Sequence, residues 1–227
     1  MDYYIKKIEE KLFHGINLQY YNHELEDLKI FEQILKFEQI MTREELRKKK
    51  YIYLEYLPKI YEQQENEVCV AIHPNNKQFK DVYDGEDWST IFYNYIRFNI
   101  SLILSENVLC LQKYNLQYGG PGEIRIQNSI SLRKYLVAIG YFDEIEYILE
   151  KSKTSNNRQI MFLEDLLSST DIPKYILDKR KNYFIIKKML EEYGYNIPIV
   201  SPFTGKIIDD NPENTIKKVK ELKKIYE

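Results

Sequence analysis

The densest group of side chains able to do chemistry is an acidic and aromatic segment before the middle of the chain. Its four carboxylates and two aromatic rings fall close together: Asp81, Tyr83, Asp84, Glu86, Asp87 and Trp88. Carboxylates at this density suit either a bound cation or a basic partner surface. A calcium loop needs oxygen ligands at positions 1, 3, 5 and 12 with glycine at position 6. The acids here fall at positions 1, 4, 6 and 7, so the spacing does not fit such a loop.

Two interpretations of this segment remain. In the first, Asp87 is the N-cap of a following helix, the other acids interact with the positive end of its dipole, and Trp88 lies in the core. In the second, the acids and rings bind a basic site on another protein, because aromatic residues and complementary charge favour interfaces. We take all six residues as the predicted partner-binding site.

Other patterns typical of catalysis or metal binding do not occur in the sequence. The histidines His14, His23 and His73 have no partner at metal-ligand spacing, and neither HExxH nor a cysteine–histidine cluster is present. A GxSxG nucleophile pattern does not occur either. The sequence therefore predicts no metal, no cofactor and no catalytic residue. An enzyme stays an alternative if folding assembles a site from His73 and the acids between Asp81 and Asp87.

Three of the eight glycines surround one proline, at Gly119, Gly120 and Gly122 around Pro121. A phosphate-binding loop needs converging backbone N–H groups, usually followed by a lysine and a serine or threonine. Pro121 has no N–H to donate, no such pair follows, and Glu123 would place negative charge beside the phosphate. Glycine and proline at these positions are typical of a tight turn. The segment is predicted to turn the chain and to bind no nucleotide.

The charge balance is nearly neutral overall and uneven along the chain. Thirty-three Lys and Arg oppose 35 Asp and Glu, for a formal net charge of −2. The part from Asp171 to the end is richer in lysine, with twelve basic against nine acidic residues. A nucleic-acid-associated regulator that uses the lysine-rich C-terminal helix is therefore an alternative function. Near-neutral charge over the whole chain does not favour nucleic acid as the partner.

Cysteine usage and hydropathy bear on the compartment. Cys69 and Cys110 have no CxxC spacing, which favours a reduced pair over a disulfide. The first residues are charged and amphipathic, without the apolar stretch of a signal peptide. The longest apolar-rich run is interrupted by Asn94, Arg97 and Asn99 and is too short for a bilayer. We expect a cytoplasmic protein without a membrane partner.

Helical patterns dominate the expected elements. Asn22 is placed as the N-cap of an amphipathic helix, and Thr42 with Glu45 forms a capping-box pattern before another. A long helix is expected from about Asp87 or Ser89 to about residue 104, and a further one ending at Gly140 as its C′ residue. The C-terminal helix is expected to begin at Pro212.

Strand patterns are few. The run EVCVAI, residues 67–72, is short, apolar and rich in β-branched residues, which indicates a strand. Residues 107–127 fit either a helix or a β-hairpin. The run SPFTGK, residues 201–206, is interpreted as a turn. The fold class expected from these patterns is mainly α, with residues 1–227 forming a single helical domain. It would hold eight to ten short helices in antiparallel pairs, with a small hairpin near residues 107–127 as the alternative there.

The function expected from these features is binding rather than catalysis. The sequence favours an intracellular protein-binding protein, and in particular a bacterial immunity protein that neutralises a toxin. The partner would be another protein, such as a basic toxin domain, held by the acidic and aromatic segment. The oligomeric state is left open.

Overall fold

The computed structural model describes residues 12–15, 24–49, 66–72, 94–99, 101–105, 108–112, 122–154, 162–202 and 204–226. Within these ranges the chain forms a mixed fold of nine helices and nine strands, so the prediction of a mainly α protein is wrong. The prediction that residues 1–227 form one domain stays a prediction.

Seven of the strands form one sheet. The strands are β1 (Leu12–Gly15), β2 (Gln39–Ile40), β3 (Glu67–Ile72), β4 (Tyr95–Phe98), β5 (Val108–Gln112), β6 (Gly122–Gln127), β7 (Ile130–Ser131), β8 (Leu136–Gly140) and β9 (Ile199–Val200). The order across the large sheet is β5-β6-β3-β1-β4-β8-β9, and β2 pairs with β7 separately. Neighbouring strands are antiparallel except β8 and β9, which are parallel.

The helices cluster toward the C-terminal half. They are α1 (Glu24–Phe37), α2 (Arg43–Lys48), α3 (Ser101–Ser105), α4 (Leu132–Tyr135), α5 (Glu144–Thr154), α6 (Leu163–Ser168), α7 (Ile172–Lys179), α8 (Lys181–Glu192) and α9 (Pro212–Tyr226). Two hydrophobic cores hold the elements together. One contains residues of the sheet with α1 and α8, and the other contains residues of α5, α6, α7 and α9.

The predicted helix ending at Gly140 is corrected to a helical turn followed by a strand. Residues 132–135 form α4, and Leu136–Gly140 then forms β8 between β4 and β9. Ala138, Ile139 and Gly140 are all buried. A strand buried on both faces has a continuous apolar run, which periodicity cannot distinguish from a buried helix.

The long helix expected up to about residue 104 is also wrong in its described part. Tyr95–Phe98 forms β4, and only Ser101–Ser105 is helical. Ile96 and Phe98 are fully buried, whereas Tyr95 and Arg97 alternate with them and are partly exposed. Alternation with a period of two is typical of a strand. The alternating run has only four residues, so in the sequence the helical pattern around it is stronger.

The hairpin alternative describes residues 107–127 correctly at both ends. The strands β5 and β6 pair antiparallel, with Gln112 opposite Glu123. The chain therefore reverses direction between Gln112 and Gly122, and the predicted turn at the glycines stays a prediction. Gly119, Gly120 and Pro121 themselves lie outside the described residues, and Gly122 begins β6.

Several local predictions are confirmed. Thr42 is the N-cap of α2, and its Oγ1 accepts a hydrogen bond from the Glu45 N–H at 3.3 Å. Residues 67–72 form β3, and α9 begins at Pro212. The SPFTGK segment is a turn closed by the Gly205 N–H donating to the Ser201 carbonyl at 2.8 Å. These features depend on residues close in sequence, which is why they could be predicted.

The sheet keeps the two cysteines apart. Cys69 on β3 and Cys110 on β5 both pair with Arg125 of β6, so one strand lies between them. Two strand spacings amount to roughly 9–10 Å, whereas a disulfide requires Cα atoms within about 7 Å. This register excludes a disulfide between Cys69 and Cys110, and their reduced state stays a prediction.

Candidate functional site

The predicted partner-binding residues cannot be placed in the fold. Asp81, Tyr83, Asp84, Glu86, Asp87 and Trp88 all lie outside the described residues, as does His73 of the enzyme alternative. The described part of the chain holds no group of three or more His, Cys, Asp or Glu side chains that could bind a metal ion. None of the described helices has both the length and the apolar character needed to cross a membrane.

A buried charged centre joins the helices of the C-terminal half. Arg180, between α7 and α8, is the largest fully buried side chain among the described residues, with 1% of it exposed. Its Nε lies 2.7 Å from Oδ2 of Asp143, which is equally buried. Its Nη1 donates to the Asp209 carbonyl at 2.9 Å and to the Thr215 hydroxyl at 3.0 Å. We call these residues, together with Glu146, the Arg180 centre.

Asp143 has two roles in this centre. It is the residue before α5, and its Oδ1 accepts hydrogen bonds from the Ile145 and Glu146 N–H groups at 2.9 and 3.1 Å. These bonds cap the helix and leave Oδ2 for the ion pair with Arg180. Burial raises the pKa of the Asp143 carboxyl, against the opposing effects of the Arg180 charge and the two N–H groups. The pair is closed off from solvent, so its role is to hold the helices together.

Glu146 is the more accessible acid of the Arg180 centre. Its Oε1 lies 3.7 Å from Nη2 of Arg180, and 16% of its side chain is exposed. Burial raises the pKa of the Glu146 carboxyl, and the Asp143 charge raises it further, against the opposing charges of Arg180 and Lys218. Ionisation of Glu146 therefore costs more in the folded protein than in the unfolded chain.

Replacement of Glu146 by glutamine is expected to stabilise the protein at neutral pH. The folded-state pKa of Glu146 is raised. Ionisation of Glu146 therefore lowers the stability of the folded protein as pH rises above the ordinary glutamate pKa of about 4.3. Glu146→Gln should therefore unfold at a higher temperature than the unmodified protein at pH 7, and the difference should disappear toward about pH 4. Thermal unfolding at a series of pH values measures this. Glu164→Gln, at an exposed position of α6, is the control. A lower unfolding temperature for Glu146→Gln at pH 7 would show that attraction to Arg180 outweighs burial.

The Arg180 centre and its neighbours fix the position of α9. Asn211 precedes this helix, and its Oδ1 accepts from the Glu213 N–H at 2.9 Å. The inner side of α9 buries Thr215, Val219 and Leu222, the last two in the core shared with α5, α6 and α7. Lys223 also donates to the Ser169 carbonyl at 3.0 Å. The helix is therefore held along its length, and its outer side is fixed relative to the core.

The outer side of α9 forms a shallow groove of about 520 Å³. We call its six lining residues the outer face of α9: Glu213, Ile216, Lys217, Lys220, Glu221 and Lys224. The spacing of Lys217, Lys220 and Lys224 places them on one side of the helix. Within the described part of the chain these three lysines form no ion pair, whereas Lys218 lies 3.2 Å from Asp209. Ile225, 77% exposed, lies one turn beyond Glu221.

Neither the Arg180 centre nor the outer face of α9 was predicted from the sequence. Arg180 and Asp143 are far apart in sequence, so no spacing pattern could associate them. The lysine-rich helix was recognised, but the sequence alone could not separate Lys218 and Lys223, which are bonded to the protein, from the three exposed lysines. The spacing of apolar Val219 and Leu222 was the signal that defines the inner side.

Comparison with known proteins provides no relative from which a function could be transferred. Neither a protein-family model, nor a curated protein, nor a solved structure matches the chain.

Proposed function

We propose that this protein acts by binding another protein. The outer face of α9 is the observation that supports this function most directly. It combines the partly buried Ile216, whose side chain also packs against the core, with exposed charges of both signs on a helix whose position is fixed. Protein interfaces commonly have an apolar centre and a polar rim, and a surface that is already ordered loses little entropy on binding.

The specific form of the proposal is an immunity protein that neutralises a toxin. It depends on the acidic and aromatic segment, in which Asp84 and Glu86 would face the basic site of a nuclease-type toxin. Lysines and arginines that hold phosphate in such a site would accept carboxylates instead, and opposite charge would speed association.

A nucleic-acid-associated regulator is the second candidate, favoured by the row of Lys217, Lys220 and Lys224. Glu213 and Glu221 lie in the same groove and would repel a phosphate backbone. Phosphate contacts make the affinity for nucleic acid fall steeply as the salt concentration rises. This salt dependence distinguishes the second candidate from the first.

Co-expression with a toxin tests the proposal. The candidate toxin is any secreted protein whose gene lies next to the gene for this chain. Its toxic domain alone is expressed. The unmodified protein should restore growth and bind the purified domain. Asp84→Lys with Glu86→Lys should slow association, more at low salt than at high salt. The triple change Lys217→Glu, Lys220→Glu and Lys224→Glu should weaken binding as well, because in this proposal the three lysines contact acidic groups of the toxin outside its basic site.

A matched triple change controls for net charge. Lys29, Lys174 and Lys181 are exposed on α1, α7 and α8, and their replacement by glutamate alters net charge equally. This control should bind as the unmodified protein does. Failure of the folded, unmodified protein to restore growth would reject toxin neutralisation. Salt-sensitive binding to RNA or DNA, lost only in the α9 triple variant, would instead support the nucleic-acid candidate.

A further inference from the structure

Arg97 occupies an unusual position for an arginine. It lies on β4, inside the seven-stranded sheet, opposite Phe13 of β1 on one side and Ala138 of β8 on the other. Ala138 is buried with 2% exposure, and the flanking Ile96 and Phe98 are fully buried. A guanidinium at the centre of a sheet needs acceptors, because it carries five N–H donors and stays protonated.

The pairing of Arg97 differs from that of other arginines in the described part of the chain. Arg125 lies 3.6 Å from Glu67, Arg133 lies 2.8 Å from Glu38, and Arg180 lies 2.7 Å from Asp143. The Nε of Arg97 is shielded from solvent, and no acceptor for it is found among the described residues. A shielded N–H donor without an acceptor is destabilising, and the side chain of Arg97 is otherwise partly exposed, so an acceptor that approaches from solvent would be favourable.

The backbone around Arg97 is irregular. The register of β4 against β8 shifts between Arg97 and Phe98, because Arg97 pairs with Ala138 whereas Phe98 pairs with Leu136. Val137 is therefore the additional residue of a β-bulge. Bulges change the direction of nearby side chains and are frequent beside functional sites.

Tyr95 provides one side of the same region. It lies two residues before Arg97 and therefore on the same face of β4. Its ring occupies the space above Gly140 that a Cβ atom would fill. Burial raises the pKa of Tyr95 to about 12, against the opposing charge of Arg97. At neutral pH the side chain is an uncharged hydroxyl next to a cation.

We propose that Arg97 anchors a binding site for an oxyanion, either a carboxylate or a phosphate group of a ligand. The planar fork of the guanidinium matches both groups and can bind two of their oxygens together. Tyr95 bounds the site on the same face of β4. The site belongs to the sheet, away from the outer face of α9, and is independent of the protein-binding proposal.

Thermal unfolding in different anions tests this site. Inorganic phosphate and acetate are added separately to protein in Tris chloride at pH 7.5, with ionic strength held constant by sodium chloride. An anion that binds only the folded protein raises its unfolding temperature. At tenfold excess over its Kd, the expected rise is about 3–6 °C. The larger response identifies the preferred group, tetrahedral for phosphate and planar for acetate.

Arg97→Met should abolish that rise and should unfold in chloride at a temperature no lower than the unmodified protein, because it removes a shielded N–H for which the described residues provide no acceptor. Arg97→Lys keeps the charge without the fork and should retain only part of the response. Arg133→Met, at an exposed arginine, should respond like the unmodified protein. The proposal is rejected if neither anion has an effect, or if Arg97→Met responds equally. It is also rejected if Arg97→Met loses several degrees in chloride, since the guanidinium then has an acceptor within the chain.

Discussion

Replacement of Arg180 by methionine is expected to cost about 3–5 kcal/mol in the free energy of unfolding. The guanidinium is 1% exposed and holds Asp143, the Asp209 carbonyl and the Thr215 hydroxyl together. Methionine fills similar space but leaves the Asp143 carboxyl buried without a cation. Urea denaturation measures the loss. Urea is uncharged, so it does not screen the ion pair as guanidinium chloride would.

A double replacement separates the ion pair from packing. Asp143→Asn keeps an oxygen that can accept the N–H bonds at the start of α5 but removes the charge. Asp143→Asn with Arg180→Met should cost less than the sum of the two single changes, because neither charge is then left buried alone. Lys188→Met should cost about 1 kcal/mol or less, since the Lys188–Glu192 pair is 76% and 55% exposed. Additive costs for the double change would show that Arg180 acts through packing rather than charge.

Replacement of Gly140 by alanine is expected to cost about 1–3 kcal/mol, as overpacking does in other cores. Gly140 pairs with Tyr95 across β4 and β8, and an added methyl group would overlap the Tyr95 ring. Gly140 is buried and Tyr95 is only partly exposed, so the Tyr95 ring must move away from Gly140 to make room for the methyl group. Urea denaturation again provides the free energy of unfolding.

The Tyr95→Leu background identifies the cause of this cost. Leucine lacks the ring atoms that occupy the space above Gly140, so Gly140→Ala should cost much less in that background. The double change would then cost less than the sum of the two single changes. An equal cost in both backgrounds would mean that the glycine is required for a reason other than the Tyr95 ring.

The parts of the fold that could be predicted depend on neighbours in sequence. Thr42 and Glu45 are three residues apart, and Asn211 precedes Pro212 directly, so their helix starts follow from local hydrogen bonding and fixed backbone angles. Strand β3 was recognisable because Val68, Val70 and Ile72 alternate in a short β-branched run. In each case the local preference and the tertiary environment favour the same structure.

The parts that were wrong are decided by contacts distant in sequence. Strands β4 and β8 are strands because each has a partner on both sides of the sheet, and those partners lie far away along the chain. The apolar run that includes Ala138 and Ile139 fits a buried helix equally well until the pairing is known. The proposed Arg97 site could not be predicted from the sequence for the same reason, because it depends on the pairing with Ala138 and on the bulge at Val137.

The place of β1 in the sheet has a consequence for folding kinetics. This strand is the first of the described strands in sequence, yet it lies between β3 and β4, with Leu12 opposite Ile72 and Phe13 opposite Arg97. The β5–β6 hairpin can close early because its strands are near neighbours, whereas the middle of the sheet must wait for long loops to close. Folding is slow where contacts are distant in sequence. On the ribosome the emerging β1 has its first partner only once β3 has been synthesised and its second only once β4 has followed, so the sheet assembles late and from separate parts.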